Sequence, residues 1–194
     1  MKKIDIVLVI AASALAASPL SAHKLQESNV AVPVAKSKMI VTPERAWNSI
    51  GGRQGKQSEV WTIDGERLNE LIFFANVRGG ATLAPKMKHV TLPTWDEKML
   101  LVELPDLIER NYRVTRQITD FTQLSSKPQK FLGRDGISFE YEYVNGDGLP
   151  VRGVAVATII DGALYMINLN APRLNYFDRT RPAFDSIVAS AKIE

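Results

Sequence analysis

Residues 131–170 read FLGRDGISFEYEYVNGDGLPVRGVAVATIIDGALYMINLN, and they contain the clearest strand and turn pattern of the chain. Apolar and polar residues alternate through it, and the alternation is interrupted by the pairs Asp135-Gly136, Asn145-Gly146, Asp147-Gly148 and Asp161-Gly162. Asp-Gly and Asn-Gly pairs tolerate the positive φ angles that two-residue hairpin turns require. The stretch therefore predicts four strands, each antiparallel to the next.

The second of these strands has two chemically different faces. Phe139, Tyr141 and Tyr143 fall on one face, and Glu140 and Glu142 on the other, because successive side chains of a strand point to opposite sides of the sheet. We expect the aromatic face to pack against a helix, and the glutamate face to point outward or toward another helical layer.

Two helices are predicted outside this stretch. Leucines recur at helical spacing up to Arg110, so we expect either a broken helix from Thr94 or a turn at 95–98 followed by a helix at about 100–111, with Pro105 at the break or start. Near the C terminus, Phe184 and Ile187 belong to one apolar helical stripe. We call the four predicted strands of residues 131–170 the meander. We expect this C-terminal helix to pack on the aromatic face of the meander's second strand.

The remaining segments are shorter and less regular. The sequence predicts a strand at 39–41, a helical turn carrying Trp47, a hairpin at 59–75 that turns at Asp64-Gly65, and loops at 76–92 and 121–129. Long loops in compact domains often carry function, so the loop at 76–92 is the first place to look for a site.

The N terminus, MKKIDIVLVIAASALAASPLSA, has the layout of a secretory signal peptide: two lysines, an apolar run and small residues ending at Ala22. The apolar run of roughly twelve residues is too short for a stable membrane anchor. We expect cleavage between Ala22 and His23, with cleavage after Ala16 or an uncleaved anchor as alternatives. The mature chain should then be periplasmic or secreted, with no membrane span.

The predicted domain organisation follows from this. Residues 1–22 form the signal peptide, residues 23–38 a polar, flexible tether, and residues 39–194 a single α+β domain. The chain has no cysteine, which excludes disulfides, a thiolate zinc site and a lipid-anchored N-terminal cysteine. The formal net charge is only +3 and is scattered, so we do not expect nucleic-acid binding.

The order of elements and the C-terminal pattern Tyr176-Phe177, Pro182, Phe184, Ile187-Val188 and Ser190 resemble a known superfamily. It is the α/β/α sandwich of the PsbP extrinsic proteins of photosystem II, the Ran-binding Mog proteins and the periplasmic DcrB proteins, and the likeness covers about residues 40–193. The resemblance implies an antiparallel sheet with helices packed on it, in a non-catalytic domain that assists assembly or binds partner proteins. No site motif of those families is present, so no functional residue is carried over.

Several residues are candidates for chemistry. Gly51-Gly52-Arg53-Gln54-Gly55-Lys56 lacks the spacing of a phosphate loop and is expected to be a plain loop. Glu140 and Glu142 lie about 7 Å apart along their strand, which suits a pair of glycosidase carboxylates, although solvated charges on a strand face are far commoner.

Other candidates concern binding. Trp47, Trp61 and Trp95 suit a ligand groove, although such residues belong to the core more often. In the loop at 76–92, a possible contact patch for anions consists of Arg78, Lys86, Lys88 and His89, with a solvated loop as the simpler interpretation.

We therefore expect an exported, non-catalytic periplasmic protein that binds an envelope protein partner or assists envelope assembly, without a cofactor or metal ion. The alternatives are a hydrolase or glycosidase that uses Glu140, Glu142 or His89, and a carrier of a small apolar ligand. The sequence leaves the identity of the partner and the oligomeric state open.

Overall fold

The computed structural model describes residues 23–51, 55 and 57–194. The predicted signal peptide and most of the Gly51–Lys56 segment lie outside the described residues. The strands are β1 Lys24–Gln26, β2 Val32–Pro33, β3 Met39–Val41, β4 Trp47–Ser49, β5 Ser58–Thr62, β6 Glu70–Val77, β7 Phe121–Pro128, β8 Gly136–Val144, β9 Pro150–Ile160, β10 Ala163–Pro172 and β11 Lys192–Ile193. The helices are α1 Leu104–Thr115, preceded by a 3₁₀ turn at Leu101–Glu103, and α2 Tyr176–Ser190.

Within the described residues, eight strands form one antiparallel sheet in the order β1-β4-β5-β6-β10-β9-β8-β7. A smaller sheet has the order β11-β3-β2. The two helices pack on opposite faces of the large sheet, each over its own apolar cluster. This arrangement confirms the predicted α+β fold with an antiparallel meander. Neither described helix is both long and apolar enough to cross a bilayer.

The meander follows the sequence pattern through its last three strands. β8 pairs with β9, and β9 with β10, in the predicted antiparallel order. Asp161 and Gly162 form the tight turn between β9 and β10, with φ angles of 51° and 75°. The predicted first strand is wrong, because Phe131 and Arg134 instead close a short turn on themselves.

The strand that precedes the meander is β7, which occupies residues predicted to be a loop. It pairs with β8 at the edge of the sheet, from Phe121 opposite Tyr143 to Pro128 opposite Ile137. Nearly all its residues are exposed, so neither face requires apolar side chains. An edge strand without a buried face carries no period-2 pattern, and the sequence therefore gave no signal for it.

The aromatic face of β8 packs against α1, and its assignment to α2 is wrong. The ring of Tyr112 in α1 lies 6.3 Å from that of Tyr141 and 5.4 Å from that of Tyr143, measured between centroids. Phe184 and Ile187 of α2 instead contact the other face of the sheet, in the cluster that includes Val154. Alternation determines which residues share a face but not which helix covers that face.

The N-terminal segment differs from its prediction in two ways. Residues 23–38, predicted as a flexible tether, contribute β1 and β2 and bury Val34 and Ala35 in the core. Trp47, predicted on a helical turn, begins β4, which pairs with β1 and β5. Strands of two or three residues are too short to show a period, so the sequence pattern does not reveal them.

The hairpin of β5 and β6 is antiparallel as predicted, but its connection is longer than two residues. Asn69, which is buried, organises this connection. Its Oδ1 accepts hydrogen bonds from Thr62 Oγ1 and from the Ile63 amide, and its Nδ2 donates to Asp64. The side chain thus takes over the role that backbone pairing has in a tight turn.

Helix α1 begins later than the capping pattern at Thr94 and Glu97 suggests. The amide of Trp95 instead donates to the carbonyl of Ala81. The carboxylate of Glu103, the last residue of the 3₁₀ turn, accepts a hydrogen bond of 2.7 Å from the Leu100 amide. Pro105 lies in the first turn of α1, where its missing amide costs no helical hydrogen bond. Of the two predicted alternatives, a helix that starts after residue 100 is therefore the correct one.

Candidate functional site

A pocket of about 280 Å³ lies between α1, strands β5 and β6, and the segment Leu83–Pro85. We call it the α1 pocket. Its apolar lining consists of Val60, Ile72, Phe74, Leu83, Ala84, Pro85 and Ile108. Its polar lining consists of Ser58, Glu70, Asn111, Tyr112, Thr115, Arg116 and Asn168.

The register of the hairpin and the period of the helix together build this pocket. Val60 lies opposite Ile72, and Ser58 opposite Phe74, so both pairs point to the face that α1 covers. On α1, the lining residues Ile108, Asn111, Tyr112 and Thr115 recur at i, i+3, i+4 and i+7, which places them on one stripe of the helix. The pocket is therefore formed by two regular elements, and Leu83–Pro85 closes one side.

A buried polar network lies beneath the pocket. Asn168 and Asn170 of β10 each donate from Nδ2 to the Tyr112 hydroxyl at 2.8 Å. The Tyr141 hydroxyl approaches Oδ1 of the same two residues at 2.8 and 2.9 Å. Burial raises the pKa of the Tyr141 hydroxyl well above its usual value, so it stays protonated as a donor. The network ties α1 to β8 and β10.

An ion pair between Arg116 and Glu70 stands at one end of the α1 pocket. Arg116 Nη2 lies 2.7 Å from Glu70 Oε2, and the guanidinium lies 4.2 Å from the centre of the Tyr112 ring. Burial alone would lower the pKa of Arg116, but Tyr112 and Glu70 raise it, and the net pKa is above the usual arginine value. Arg116 is therefore cationic and is already paired with an anion.

The same ion pair also borders a second, more open pocket of about 580 Å³. Its polar lining includes Gln117, Asn145, Asp147 and Asn170. Glu70 and Arg116 thus separate an apolar pocket from a polar one.

Asn111 has an unusual hydrogen-bonding state. Its side chain is buried, with 2% of the residue exposed, and its Nδ2 donates to the carbonyl of Leu107 at 3.0 Å. Its Oδ1 has no hydrogen-bond partner among the residues that the structure describes. Buried polar atoms nearly always have a partner, so this carbonyl oxygen marks a place where one is missing.

The two glutamates considered as glycosidase residues are held by arginines. Glu140 is bound by Arg181 of α2 and by Arg152, the latter at 2.7 Å, and Glu142 lies 3.3 Å from Arg173. Burial raises the pKa of Glu140, but the hydrogen bonds from Arg181 and Arg152 outweigh it and the net pKa is lowered. A catalytic acid of a glycosidase requires a raised pKa, so this environment opposes that role.

The three tryptophans belong to the core and do not line the α1 pocket. Trp47 and Trp61 lie in the cluster beneath α2, and Trp95 lies in the cluster beneath α1. All three are fully buried. The ligand-groove hypothesis for them is therefore wrong.

The four residues of the suggested contact patch lie at the surface. Arg78 Nη1 donates to the carbonyl of Asp161 at 2.6 Å, which fastens the end of β6 to the β9–β10 turn. Lys86, Lys88 and His89 are exposed and directly follow the Leu83–Pro85 wall of the pocket. Their role in contacting anions stays a prediction.

The residues of the α1 pocket are not among the candidates predicted from the sequence. A signal was nevertheless present, because Asn111 interrupts an apolar helical stripe, and Asn168 and Asn170 interrupt a strand that is otherwise apolar on this face. Polar residues at positions that an apolar pattern predicts to be buried indicate either a hydrogen-bond network or a binding site.

Comparison with known proteins supports the fold. No protein-family model and no curated protein sequence matches this chain. Among solved structures, it is similar to the solution structure of cyanobacterial PsbP (CyanoP) from Synechocystis sp. PCC 6803, with a TM-score of 0.55 and 11% identity over 94% of this chain and 99% of that one.

Two weaker structural likenesses also emerge. The Ran-binding protein Mog1p of Saccharomyces cerevisiae has a TM-score of 0.43 and 10% identity, covering 87% of this chain and 96% of that chain. LpqN, involved in cell envelope biogenesis of Mycobacterium tuberculosis, has a TM-score of 0.33 and 11% identity, covering 92% of this chain and 87% of that chain. The likeness to CyanoP confirms the predicted PsbP-like fold.

Proposed function

We propose that this chain is an exported, non-catalytic binding protein of the periplasm, and that the α1 pocket holds a small, mostly apolar ligand. The observation that carries the proposal is the preformed pocket of about 280 Å³ between α1 and the sheet. Most of its exposed wall is apolar, and seven of its fourteen lining residues are polar residues held at fixed positions. Ligand pockets of proteins commonly have this composition.

The rigidity of the walls supports binding in this pocket. Val60 and Ile72 belong to paired strands, and Ile108 belongs to a helix that the buried network fastens to β10. A ligand that enters such a pocket does not have to order the protein first, so less of its binding free energy is lost.

Native mass spectrometry of the protein purified from its host tests the proposal. We expect a fraction of the molecules to carry a small bound mass that is lost in the variant Val60→Phe, whose larger ring occupies the pocket. Val102→Phe is the matched control, because Val102 is 65% exposed and does not line the pocket. Ile108→Phe serves as a second pocket-filling variant from the helix side.

Two results would contradict the proposal. If the unaltered protein carries no bound mass and small amphiphiles produce no heat on titration, the pocket is not a binding site. A bound mass that persists in both Val60→Phe and Ile108→Phe would place the ligand elsewhere.

A second candidate function is binding of an envelope protein partner, in envelope assembly. It is favoured by Leu100 and Val102, which are 64% and 65% exposed on the turn that leads into α1. Large apolar side chains that lie together at a surface are typical of interaction sites. Crosslinking in envelope preparations, followed by capture, should recover a reproducible partner with the unaltered protein and lose it with Leu100→Glu plus Val102→Glu. Recovery of the same proteins with both forms would reject this surface.

A further inference from the structure

Residues 82–94 form a surface loop whose two ends are held together. Thr82 and Thr94 pair in an antiparallel β-bridge at its base. Next to this base, Leu83 packs on the apolar cluster beneath α1, and Leu92 is buried. Compact surface loops whose ends lie close together are frequently functional. Both ends of this loop are fixed to the body of the protein, and the segment between them faces solvent.

The tip of the loop, residues 85–91, is exposed throughout. A β-turn at Lys88-His89 forms its end, and His89 has a φ angle of 60° there. Met87 and Val90 are the first and last residues of this turn, so their Cα atoms lie within about 7 Å of each other. Their side chains are 44% and 39% exposed. The turn therefore presents two large apolar side chains to solvent, side by side.

The charge of the tip is positive. It carries Lys86, Lys88 and His89, and residues 78–95 contain no Asp or Glu. Neither lysine forms an ion pair within the part of the chain that the structure describes. At a membrane surface, apolar side chains enter the boundary between headgroups and acyl chains, and lysines are attracted by anionic lipids. The tip offers both kinds of side chain.

The size of the tip favours a membrane over a protein partner. A stable protein interface buries about 1,200–2,000 Å² in total and takes roughly 20–30 residues from each side. The tip has seven residues. A bilayer surface needs only a few apolar and basic side chains for reversible attachment, since each contributes separately.

We propose that residues 85–91 dock this protein reversibly onto an anionic lipid bilayer, with Met87 and Val90 entering the headgroup region and Lys86 and Lys88 contacting lipid phosphates. The inference goes beyond the proposed function and does not depend on it, because lipid contact needs no ligand in the α1 pocket. Docking in this way brings Leu83–Pro85, one wall of that pocket, close to the bilayer surface.

Sedimentation with lipid vesicles tests the docking, with the protein purified from its host. We expect at least about tenfold stronger partitioning onto phosphatidylcholine vesicles that contain phosphatidylglycerol than onto phosphatidylcholine alone, and weaker partitioning as salt is added. The double variant Lys86→Gln plus Lys88→Gln should lose about tenfold or more, because each basic residue near an anionic surface contributes several-fold to binding.

Lys36→Gln plus Lys38→Gln is the matched control. These two exposed lysines have the same spacing and the same charge, but they flank Ser37, next to the cluster beneath α2 on the opposite face of the large sheet. We expect this pair to change the partitioning by less than about threefold, since it alters only the net charge.

A fluorescent label tests the insertion of the tip. Because the chain has no cysteine, Met87→Cys provides a single thiol for an environment-sensitive nitrobenzoxadiazole label. We expect its emission to increase and shift to shorter wavelength when vesicles with phosphatidylglycerol are added. Leu124→Cys is the control, since Leu124 is 45% exposed, close to the 44% of Met87, but lies on β7. Its label should not respond.

Several results would overturn the inference. The protein could fail to sediment with the anionic vesicles, or the two lysine pairs could lose equal affinity, which would indicate a general effect of charge. A label at residue 87 that responds no more than one at residue 124 would exclude insertion. If a crosslinker on the thiol at residue 87 captures an envelope protein and vesicles have no effect, the partner is a protein. None of these results bears on the α1 pocket, which is tested separately by Val60→Phe.

Discussion

Gly153 permits the buried network because it has no side chain. Tyr141 lies directly opposite it in the sheet, and a Cβ atom at residue 153 would lie 2.3 Å from Cζ of the Tyr141 ring. Real Cβ atoms do not come so close to another heavy atom. Since the ring is fully buried and its hydroxyl is hydrogen-bonded to Asn168 and Asn170, the ring has no free direction in which to move.

We therefore expect Gly153→Ala to lower the free energy of unfolding by about 1–3 kcal/mol, the usual cost of overpacking a tight core. Urea denaturation monitored by circular dichroism measures it. Gly146→Ala is the control, because its Cβ would meet only ordinary contacts, the nearest at 3.6 Å, and should change the stability by less than about 0.5 kcal/mol. Equal stabilities for the two variants would show that the Tyr141 ring is not confined.

Glu140 gives a prediction about pH. In the folded state Arg181 and Arg152 lower its pKa, so its stabilising contribution is present in full above the unfolded pKa of about 4.3 and is lost as the pH falls through the folded value. At pH 7, Glu140→Gln should lower the free energy of unfolding by about 1–2 kcal/mol. Below about pH 4 the difference from the unaltered protein should shrink.

Denaturation at a series of pH values checks this, with Glu142→Gln as the control. The partner of Glu142, Arg173, is 57% exposed at a distance of 3.3 Å, so that pair should contribute less than about 0.5 kcal/mol. A stability difference for Glu140→Gln that grows as the pH falls would contradict the assigned charge state.

Among the secondary-structure elements, helix α1 is held against β10 by the hydroxyl of Tyr112. Tyr112→Phe removes the acceptor of two buried amide donors, those of Asn168 and Asn170. We expect the free energy of unfolding to fall by about 2–4 kcal/mol, since each unpaired buried donor costs about 1–3 kcal/mol and the site can relax in part.

Chemical denaturation measures this loss, and Tyr165→Phe is the control. Tyr165 lies on β10 too, but in the cluster beneath α2, so its hydroxyl takes no part in the network. If the two tyrosine variants lose equal stability, the network does not anchor α1.

The elements differ in how well the sequence predicts them, and the reason is burial. β8 and β9 were predictable because β8 alternates aromatic with polar residues, β9 is a long apolar run that is buried over most of its length, and both end at Asn-Gly or Asp-Gly pairs. β7 was not, because it buries neither face. The buried asparagines hint at the α1 pocket, but its full set of residues was not predictable, since its ion pair joins Glu70 to Arg116 over 46 residues of chain. Hydrophobic periods and turn residues can be read from a single sequence. The pairing of β6 with β10, which brings together residues that are distant in the chain, cannot.

At the scale of the whole molecule, β7 leaves one edge of the large sheet open. The strand carries a register shift between Gln123 and Ser125, then Lys127 and Pro128 at its end. An irregular edge with a charge and a proline discourages pairing with a second chain.

We therefore expect Lys127→Val combined with Pro128→Val to increase the oligomeric mass of the protein at micromolar concentration, because the charge and the proline that oppose edge pairing are both removed. Multi-angle light scattering after size-exclusion chromatography measures the change. Lys130→Val is the control, since Lys130 is exposed but follows the strand. If the double variant elutes like the unaltered protein, the edge is protected by other means.

The place of β10 in the sheet also has a consequence for how the chain is made. β10 lies between β6 and β9, and its residues come late in the sequence, at 163–172. Until this strand has been synthesised, the hairpin of β5 and β6 has no partner on its inner side, and α1 has no Asn168 or Asn170 to hold it. The large sheet can therefore close only after residues 163–172, nearly nine tenths of the way along the chain, have been synthesised.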